Sequence, residues 1–288
     1  MNEHTPKPRV FVIIVNWNRR DDTIECLESF RRVTYPNFHL LVVDNASCDD
    51  SVQAVQSRCP QAMVLQLPEN LRFAGGNNAG LREFLKSSDD YALLLNNDTT
   101  VEPDFLYHLV SAAQSDENIG LVSPKILYYD KPDVIWFAGG VVKPAWGYAR
   151  HYGLRRRDDG TFDRKKQVTF LTGCCLLIKR RVVEKIGFFD EGFYLYSEDA
   201  DYCLRAQKAG FTLLYEPRAR IYHRVSSSTG GAYNLKKWVL RYRSLFRLTR
   251  KHSTPFTLPL FVLNVFWELI SLPIHAYLQT RRLTMKSR

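Results

Sequence analysis

Short apolar runs alternate with segments of helical periodicity through the first half of the chain. Two runs rich in Val, Ile and Leu, 10–15 and 40–43, predict strands that are buried in a parallel sheet, and 63–67 and 91–95 predict two more strands. Helices are predicted at 51–59 and 77–86, and two more are predicted to begin at Asp22, as an N-cap, and at Pro103. This β-α-β-α order predicts an α/β fold with a mainly parallel central sheet flanked by helices.

The pattern in the second half is less regular. The strand candidates are 121–123, 134–138, 169–178, 211–215 and 219–222. One helix is predicted at 180–186, and another is predicted between Ser197, as its N-cap, and Gly210. The charged segment 150–166 predicts a mobile surface loop.

Residues 231–288 differ in character from the rest of the chain. The segment 235–251 is basic and amphipathic, and 256–278 is apolar and long enough to cross a bilayer. Glu268 would cost about 2.5 kcal/mol in its centre, and basic residues on both flanks favour keeping both ends at the cytoplasmic face. The pattern therefore predicts a helical tail in which 235–288 lies on that membrane surface or re-enters it. Packing against the rest of the protein or a second copy is the alternative.

The composition is that of a folded protein with an excess of positive charge. The 288 residues are 45% apolar and carry a formal charge of +10. This excludes wholesale disorder and favours an anionic partner, such as nucleic acid, acidic lipid or a phosphorylated substrate. The six cysteines form no CxxC pair, and the first ten residues are polar. We therefore expect reduced thiols, no signal peptide and a cytoplasmic location.

Polar residues collect where the predicted parallel strands end. Asn16 follows the first strand, Asp44, Asn45 and Ser47 follow the second, and 96–98 follow the fourth. Ligands of open α/β sheets bind beyond these carboxyl ends, so the residues suggest a site for a nucleotide and a metal. Turn formation alone is the alternative. The segment NWNRRDD after the first strand lacks the glycines of a dinucleotide fingerprint, and no Walker lysine motif occurs.

Six segments occur in a specific order and spacing. They are VNWNRRDDTIECLESF, VVDNASCDDS, ENLRFAGGNNAG, LLNNDTTVEPDFL, TGCCLLIKRRVVEKIGFFDEGFYLYSEDADYCLRAQKAG and YHRVSSSTG. Together they resemble the GT-A fold glycosyltransferases of family 2, in particular the bacterial rhamnosyltransferase-like branch. The resemblance covers about 9–230 and implies a GT-A catalytic domain at 1–230. Its nucleotide-sugar half would be 9–100 and its acceptor half 101–230, followed by the tail at 231–288.

The resemblance implies a donor site built from four segments. The residues that it assigns to a nucleotide-diphospho-sugar, carried on dTDP or UDP, are Asn16, Asp44, Asn45, Ser47, Asn70, Gly75, Gly76, Asn77 and Asn97. Asn16 and Asp44 would contact the base and the ribose, and Gly75 and Gly76 would allow close approach of the backbone. A helix N-terminus near Asn77 would face the diphosphate.

The resemblance also implies a bound divalent cation. The family's DxD motif corresponds to 96–98, where Asn96 replaces an acid, so Asp98 is the principal carboxylate ligand. His223 would complete the metal sphere. Oxygen ligands and a diphosphate suit Mg²⁺ or Mn²⁺. Capping of the next turn by Asn97 and Asp98 is the alternative.

The acidic pair Glu198 and Asp199 corresponds to the catalytic pair of the family. An inverting transfer requires a base that removes the acceptor proton while the hydroxyl attacks opposite the leaving group. Asp199 is the expected base, and Glu198 is the expected supporting or acceptor-binding residue. Stabilisation of the helix dipole by first-turn acids is the alternative. We expect Asp201 to face solvent or to form a salt bridge.

The resemblance therefore implies a metal-dependent inverting glycosyltransferase of bacterial cell-surface polysaccharide synthesis. The analogy favours dTDP-rhamnose as the donor, with a UDP-sugar as the alternative. The implied acceptor is a hydroxyl of a glycan or of a polyprenyl-diphosphate-linked sugar. We expect no nucleic-acid partner, and an oligomer is compatible with the sequence. A sugar nucleotidyltransferase, a nucleic-acid-binding protein and a non-catalytic sugar-binding protein are the alternatives.

Overall fold

Ten strands build one mixed sheet within residues 7–225 and 235–267, the part of the chain that a computed structural model describes. The strands are β1 (Val10–Asn16), β2 (Phe38–Asp44), β3 (Met63–Gln66), β4 (Tyr91–Asn96), β5 (Thr99–Val101), β6 (Ile119–Tyr128), β7 (Lys131–Phe137), β8 (Gly140–Lys143), β9 (Tyr148–His151), β10 (Lys166–Gln167), β11 (Cys175–Lys179) and β12 (Thr212–His223). The helices are α1 (Arg20–Ser29), α2 (Ser51–Arg58), α3 (Arg72–Lys86), α4 (Phe105–Gln114), α5 (Arg180–Ile186), α6 (Glu198–Lys208) and α7 (Leu235–His252). Strands β8 and β9 form a separate two-stranded sheet.

The strands from the first half of the chain, β1 to β4, pair in parallel with one another, whereas the strands that follow pair in both directions. Its order is β10-β12-β6-β11-β4-β1-β2-β3, with β5 beside β12 and β7 beside β6. As the sequence predicts, β1 pairs in parallel with β2 and β4, and β2 with β3. Strand β11 lies between β4 and β6 and runs antiparallel to both. The sheet continues across residue 100, so the two predicted halves share one core.

Strand β1, in the parallel part of the sheet, is buried because helices cover it. Each side chain of 10–14 in β1 is at most 3% exposed, and α1 and α3 both contact this strand. Full burial of such an apolar side chain stabilises the fold by about 1.5–3 kcal/mol. All six cysteines are free thiols, as predicted, and all except Cys48 are buried.

Helix α3 begins five residues earlier than the sequence predicts. Because it starts at Arg72, Gly75, Gly76 and Asn77 lie inside the helix and not in a loop before it. The predicted helix N-terminus near Asn77 is therefore wrong.

The glycines of α3 allow this helix to lie close to β1. A Cβ atom on Gly76 would lie 2.8 Å from Val15 Cγ1, and one on Gly80 would lie 2.3 Å from Ile13 Cγ2. Both distances are shorter than van der Waals contact. Glycine is therefore required at these positions because α3 packs closely against β1, although glycines in this pattern are typical of a loop.

Two further predicted helix starts differ from the structure, and a third, at Ser197, is confirmed in position but not as a side-chain cap. Helix α1 begins at Arg20, and Asp22 does not cap it but forms an ion pair with Arg224 at 3.1 Å. Pro103 lies two residues before the start of α4. Ser197 precedes α6 with a left-handed backbone, at φ +68°, and its side chain makes no capping hydrogen bond.

The strands of the second half are longer or shorter than predicted. Strand β6 extends well beyond 121–123, and 211–215 and 219–222 belong to the single strand β12, which is irregular between Glu216 and Arg220. Only the end of the predicted strand 169–178 forms β11. Helix α5 has the predicted bounds.

A buried lysine attaches the charged loop 150–166 to the sheet. The side chain of Lys125 in β6 is fully buried, and its Nζ lies 2.6 Å from Asp158 Oδ1 and also donates to Asp163. Since an unpaired buried ammonium is costly, these two carboxylates hold the loop against β6.

The basic segment of the tail forms α7, as predicted. Leu245 and Leu248 of this helix are buried, and 258–267 is also helical. In the described part of the chain, no helix combines the length and apolar character that crossing a membrane requires. The predicted tail residues 231–234 and 268–288, which include Glu268, lie outside the described residues, as do 226–230 at the end of the predicted catalytic domain.

Substitution of Gly80 tests the packing of α3 on β1. We expect Gly80→Val to reduce the free energy of unfolding by about 2–3 kcal/mol, because the new side chain would overlap with Ile13. Urea denaturation would measure the change, with Lys86→Ala on the exposed side of α3 as a control. Equal stability of Gly80→Val and the wild type would contradict this account.

Candidate active site

A hydrogen-bonded network joins the tips of the parallel strands. Asn16 Nδ2 donates to Asp44 Oδ1 at 2.9 Å and to Ser47 Oγ at 3.0 Å. The pairing of Asn16 with Asp44 in the β1–β2 register places these residues side by side. The structure therefore brings together the residues that the sequence assigns to the end of these two strands.

Thr23 of α1 extends the network to the end of β4. Its Oγ1 donates to Asn16 Oδ1 at 2.8 Å and accepts from Asn97 Nδ2 at 2.9 Å. The sequence analysis missed Thr23, because nothing in its local pattern separates it from an ordinary helix residue. Asn97 thus lies beside the predicted nucleotide residues, although it follows a different strand.

Asn45 connects the tip of β2 to the start of α3. Its Oδ1 accepts from the backbone N–H of Leu71 at 2.8 Å, and its Nδ2 donates to Asn70 Oδ1 at 3.0 Å. The predicted residues Asn45 and Asn70 are therefore in contact. Asn77 is placed differently, since its side chain is buried and donates to the backbone oxygen of Phe73 at 2.8 Å.

A cleft of about 530 Å³ opens above this network. Its lining residues are Val15, Trp17, Asn45, Asn70, Arg72, Phe73, Asn97, Tyr194 and Leu195. Asn16 and Asp44 of the network are almost fully buried and are not among these lining residues. Trp17, Arg72 and Tyr194 were not predicted, and the Arg72 guanidinium lies 3.8 Å from the centre of the Tyr194 ring. Only the fold could reveal this contact, because the two residues are far apart in the sequence.

Asp98 and His223 meet at the edge of the sheet. The antiparallel pairing of Thr99 with His223 brings Asp98 Oδ1 to 3.1 Å from His223 Nε2. Among the described residues, neither Asp98 Oδ1 nor His223 Nδ1 has a hydrogen-bond partner of good geometry. The Trp136 ring packs edge-on against the imidazole at 4.6 Å.

These two side chains offer a partial coordination sphere. Within the described residues no group of three or more His, Cys, Asp or Glu side chains could hold a metal ion. A carboxylate oxygen without a hydrogen bond and an adjacent imidazole fit a divalent cation whose other ligands come from a diphosphate and water. Burial alone would lower the pKa of His223, whereas the nearby Cys174 and the Asp98 carboxylate raise it.

The segment before β11 places Asp199 beside the end of β4. The backbone N–H of Gly173 donates to Asp199 Oδ2 at 3.1 Å. The next residue, Cys174, accepts a hydrogen bond from the backbone N–H of Asn96 at 2.9 Å. Asp199 and the 96–98 segment are therefore connected through two consecutive residues.

Burial raises the pKa of both predicted catalytic acids, Glu198 and Asp199. Burial raises the pKa of Glu198, and the neighbouring Asp199 raises it further. Burial also raises the pKa of Asp199, but hydrogen bonds from Gly173 and Ala200 oppose this effect. Glu198 Oε2 is buried without a partner among the described residues, whereas both Asp199 oxygens accept hydrogen bonds. Asp199 is thus the better candidate for an ionised base.

Asp201 anchors α7 to α6. The prediction of a salt bridge is confirmed, but solvent exposure is wrong because the carboxylate is fully buried. It lies 2.8 Å from Arg205 Nε, 2.8 Å from Lys251 Nζ and 2.7 Å from His252 Nε2. Burial by itself would raise the pKa of Asp201, but its contacts with His252, Lys251 and Arg205 lower it.

Comparisons with known proteins identify related chains. The profile of the family described as Glycosyl transferase family 2 matches residues 11–187. N-acetylglucosaminyl-diphospho-decaprenol L-rhamnosyltransferase of Mycobacterium tuberculosis is 27% identical over 239 residues, covering 76% of this chain and 77% of that protein. An uncharacterized protein of Sinorhizobium fredii, y4gI, is 31% identical over 210 residues, covering 69% of this chain. The chain spans 22% of the length of y4gI.

A solved structure confirms the predicted fold. Mannosyltransferase PcManGT from Pyrobaculum calidifontis, in complex with GDP-Man and Mn²⁺, superposes with a TM-score of 0.62 at 19% sequence identity. The likeness covers 97% of this chain and 81% of that one. The fold is therefore GT-A, with a central sheet that is mixed.

Substitution of Asp201 tests how α7 is held. We expect Asp201→Asn to lower the free energy of unfolding at pH 7 by up to about 3–5 kcal/mol, because the cations Arg205 and Lys251 lose a buried carboxylate and His252 loses a hydrogen-bond partner of the same kind. The folded-state pKa of Asp201 is depressed, so its stabilisation is present above the unfolded pKa of about 3.9 and is lost as the pH falls.

Urea denaturation at pH 7 and pH 3 would measure both effects. The difference between wild type and Asp201→Asn should shrink at pH 3. The exposed Asp104→Asn, which alters a surface pair with His108, is the control and should change stability by less than about 0.5 kcal/mol. A variant that matches the wild type at pH 7 would show that this network does not anchor α7.

Proposed function

This chain belongs to glycosyl transferase family 2, and on that premise we propose that it transfers a sugar, with inversion, from a nucleotide diphosphate to an acceptor hydroxyl. One observation carries the proposal. Gly173 donates to Asp199, and Cys174 accepts from Asn96, so a candidate base and the candidate metal ligand Asp98 border the same region. Such an arrangement suits attack on an anomeric carbon from the side opposite the leaving diphosphate.

The donor would occupy the cleft above the strand tips. Asp44 accepts hydrogen bonds from Asn16 and from the Ser47 backbone. A carboxylate accepts several hydrogen bonds, so Asp44 can also accept one from the base or the ribose. Asn45, Asn70 and Asn97 line the cleft and would contact the nucleotide-sugar. Gly76 would support this site by allowing α3 to pack against β1, whereas Gly75 and Asn77 contact other residues at the start of α3.

Asp98 and His223 would hold a divalent cation, Mg²⁺ or Mn²⁺. The cation would neutralise charge on the leaving nucleoside diphosphate. A ligating imidazole is neutral, so cation binding would displace a proton from His223. The buried Asp98 oxygen without a hydrogen bond supports this assignment.

Asp199 would act as the base. Its carboxylate would take the proton of the acceptor hydroxyl while the hydroxyl oxygen bonds to the anomeric carbon and the bond to the diphosphate breaks. The N–H groups of Gly173 and Ala200 favour its ionised form and fix its orientation. Glu198 has a raised pKa, so in its protonated form it would donate a hydrogen bond to the acceptor.

The name of one relative supports a proposal for the sugar and the acceptor. The name of the Mycobacterium tuberculosis protein states an L-rhamnosyl transfer to N-acetylglucosaminyl-diphospho-decaprenol. We propose rhamnose carried on dTDP as the donor and a polyprenyl-diphosphate-linked sugar as the acceptor, with a UDP-sugar as the alternative donor. The enzyme would lie at the cytoplasmic face of a membrane, which the exposed apolar side chains of 256–267 support.

Asp199→Asn tests the base. We expect the rate of sugar transfer to fall by about 10²–10⁴-fold while the donor Kd stays within about twofold, because the amide cannot accept the proton. In the wild type, transfer should decline as the pH falls through a pKa well above the ordinary 3.8, since burial raises the pKa of Asp199. Product formation would be followed by NMR, with Glu184→Gln on α5 as the control. Undiminished transfer by Asp199→Asn would exclude this base.

Asp98→Ala tests the cation site. In thermal-shift measurements, dTDP- or UDP-sugars at a concentration of 100 Kd should stabilise the wild type by about 2.7 kcal/mol with Mn²⁺, and by less without it. Asp98→Ala should show no difference between the two conditions, because its main carboxylate ligand is absent. The exposed Asp130→Ala is the control. Mn²⁺-dependent stabilisation that persists in Asp98→Ala would place the cation elsewhere.

A further inference from the structure

A second cavity, which we call the basic pocket, lies between α7 and the segment 190–194. Its volume is about 630 Å³. Its lining residues are Arg72, Asp190, Glu191, Gly192, Tyr194, Leu240, Arg243, Ser244, Phe246, Arg247, Arg250 and Lys251. Five of these side chains are cationic and two are acidic, so the pocket carries an excess of positive charge.

The two acids of the basic pocket already have partners. Asp190 lies 3.1 Å from Arg247 Nη2 and 2.7 Å from Lys251 Nζ. Glu191 lies 3.8 Å from Nη2 of Arg82, which does not line the pocket, and accepts a hydrogen bond from Asn78 Nδ2 at 2.8 Å. These contacts leave the charge of the other cations uncompensated.

Arg243 and Arg250 supply that uncompensated charge. Within residues 7–225 and 235–267, no carboxylate lies at ion-pair distance from either guanidinium. Both side chains are exposed to solvent at the pocket. Guanidinium groups bind phosphate through paired N–H donors, so the chemistry of this pocket suits a phosphate or diphosphate.

The basic pocket adjoins the donor cleft. Arg72 and Tyr194 line both cavities, and the Arg72 guanidinium stacks on the Tyr194 ring at 3.8 Å. A ligand in the basic pocket can therefore extend past this pair into the cleft that Asn97 also lines.

An apolar surface adjoins the basic pocket on another side. Phe246 and Arg250 also line a third cavity of about 420 Å³, which includes Leu258. Beyond it lie apolar side chains that are exposed by 57–91%: Phe256, Val262, Leu263, Phe266 and Trp267. The donor cleft, the basic pocket and the apolar helix 258–267 therefore follow one another along the surface.

We propose that the basic pocket binds the diphosphate of a lipid-linked acceptor. The sugar of this acceptor would then reach into the donor cleft past Tyr194, and its lipid chain would follow Phe246 and Leu258 toward the apolar helix. This inference rests on the proposed function, since it names the site for the acceptor of that reaction. The donor diphosphate is a different ligand, which Asp98 and His223 would hold through the cation.

Binding of farnesyl diphosphate tests the basic pocket without relying on catalysis. Isothermal titration of the full chain would be done with and without saturating dTDP and Mn²⁺. We expect the wild type to bind farnesyl diphosphate in both conditions, and Arg243→Gln/Arg250→Gln to bind it about tenfold more weakly or less. The dTDP affinity of this variant should stay within about twofold. Arg157→Gln, a highly exposed arginine that lines none of the three cavities, is the control.

Two other phosphate ligands, the donor nucleotide and a phospholipid, could occupy the same pocket, and each would give a different result in these binding measurements. An equal loss of dTDP and farnesyl diphosphate binding would mean that the pocket holds the donor. A loss of binding to phosphatidylglycerol vesicles alone would indicate a phospholipid surface. Either result, or a wild type that does not bind farnesyl diphosphate, overturns the proposal. Failure of the proposed function would instead appear as a wild type that binds no nucleotide diphosphate, whatever the result with farnesyl diphosphate.

Discussion

The antiparallel insertion of β11 between β4 and β6 is the constraint on which the candidate site depends. Antiparallel pairing places the start of β11 beside the end of β4, with Cys175 opposite Leu95. Gly173 and Cys174 therefore lie at the edge where the parallel strands present their polar residues. A parallel strand would have carried this segment to the opposite edge, away from 96–98. The direction of one strand thus decides whether Asp199 can reach the nucleotide edge.

The fold stabilises two of the carboxylates of helix α6 in different ways. Asp199 accepts backbone hydrogen bonds only, and its pKa is raised by burial. Asp201 contacts Arg205 on its own helix and Lys251 and His252 on α7, and these contacts lower its pKa. Residues two positions apart point to nearly opposite sides of a helix. Asp199 therefore faces the site, whereas Asp201 joins the site's helix to the tail.

This linkage makes the tail part of the site's surroundings. Because α7 is attached to α6 through Asp201, its arginines form one wall of a pocket whose other wall is the segment before α6. Arg72 and Tyr194 connect that pocket to the donor cleft. The sequence alone suggests that the basic residues of the tail face a membrane surface. In the structure, several of them also line the pocket beside the donor cleft. A substrate with a polar head, a diphosphate and an apolar chain would match the order of these surfaces.

Local patterns in the sequence determined the elements and many of the candidate residues. Apolar runs predicted β1, β2 and β4, and the ends of those runs identified Asn16, Asp44 and 96–98, because side-chain burial and periodicity are local properties. Boundaries were less predictable: the glycines of α3 resemble a loop until their contact with β1 is known. The tertiary structure alone decided that Thr23 joins Asn16 to Asn97, that Arg72 stacks on Tyr194, and that Gly173 orients Asp199. Strand order and direction create these contacts between distant segments, and no local pattern encodes them.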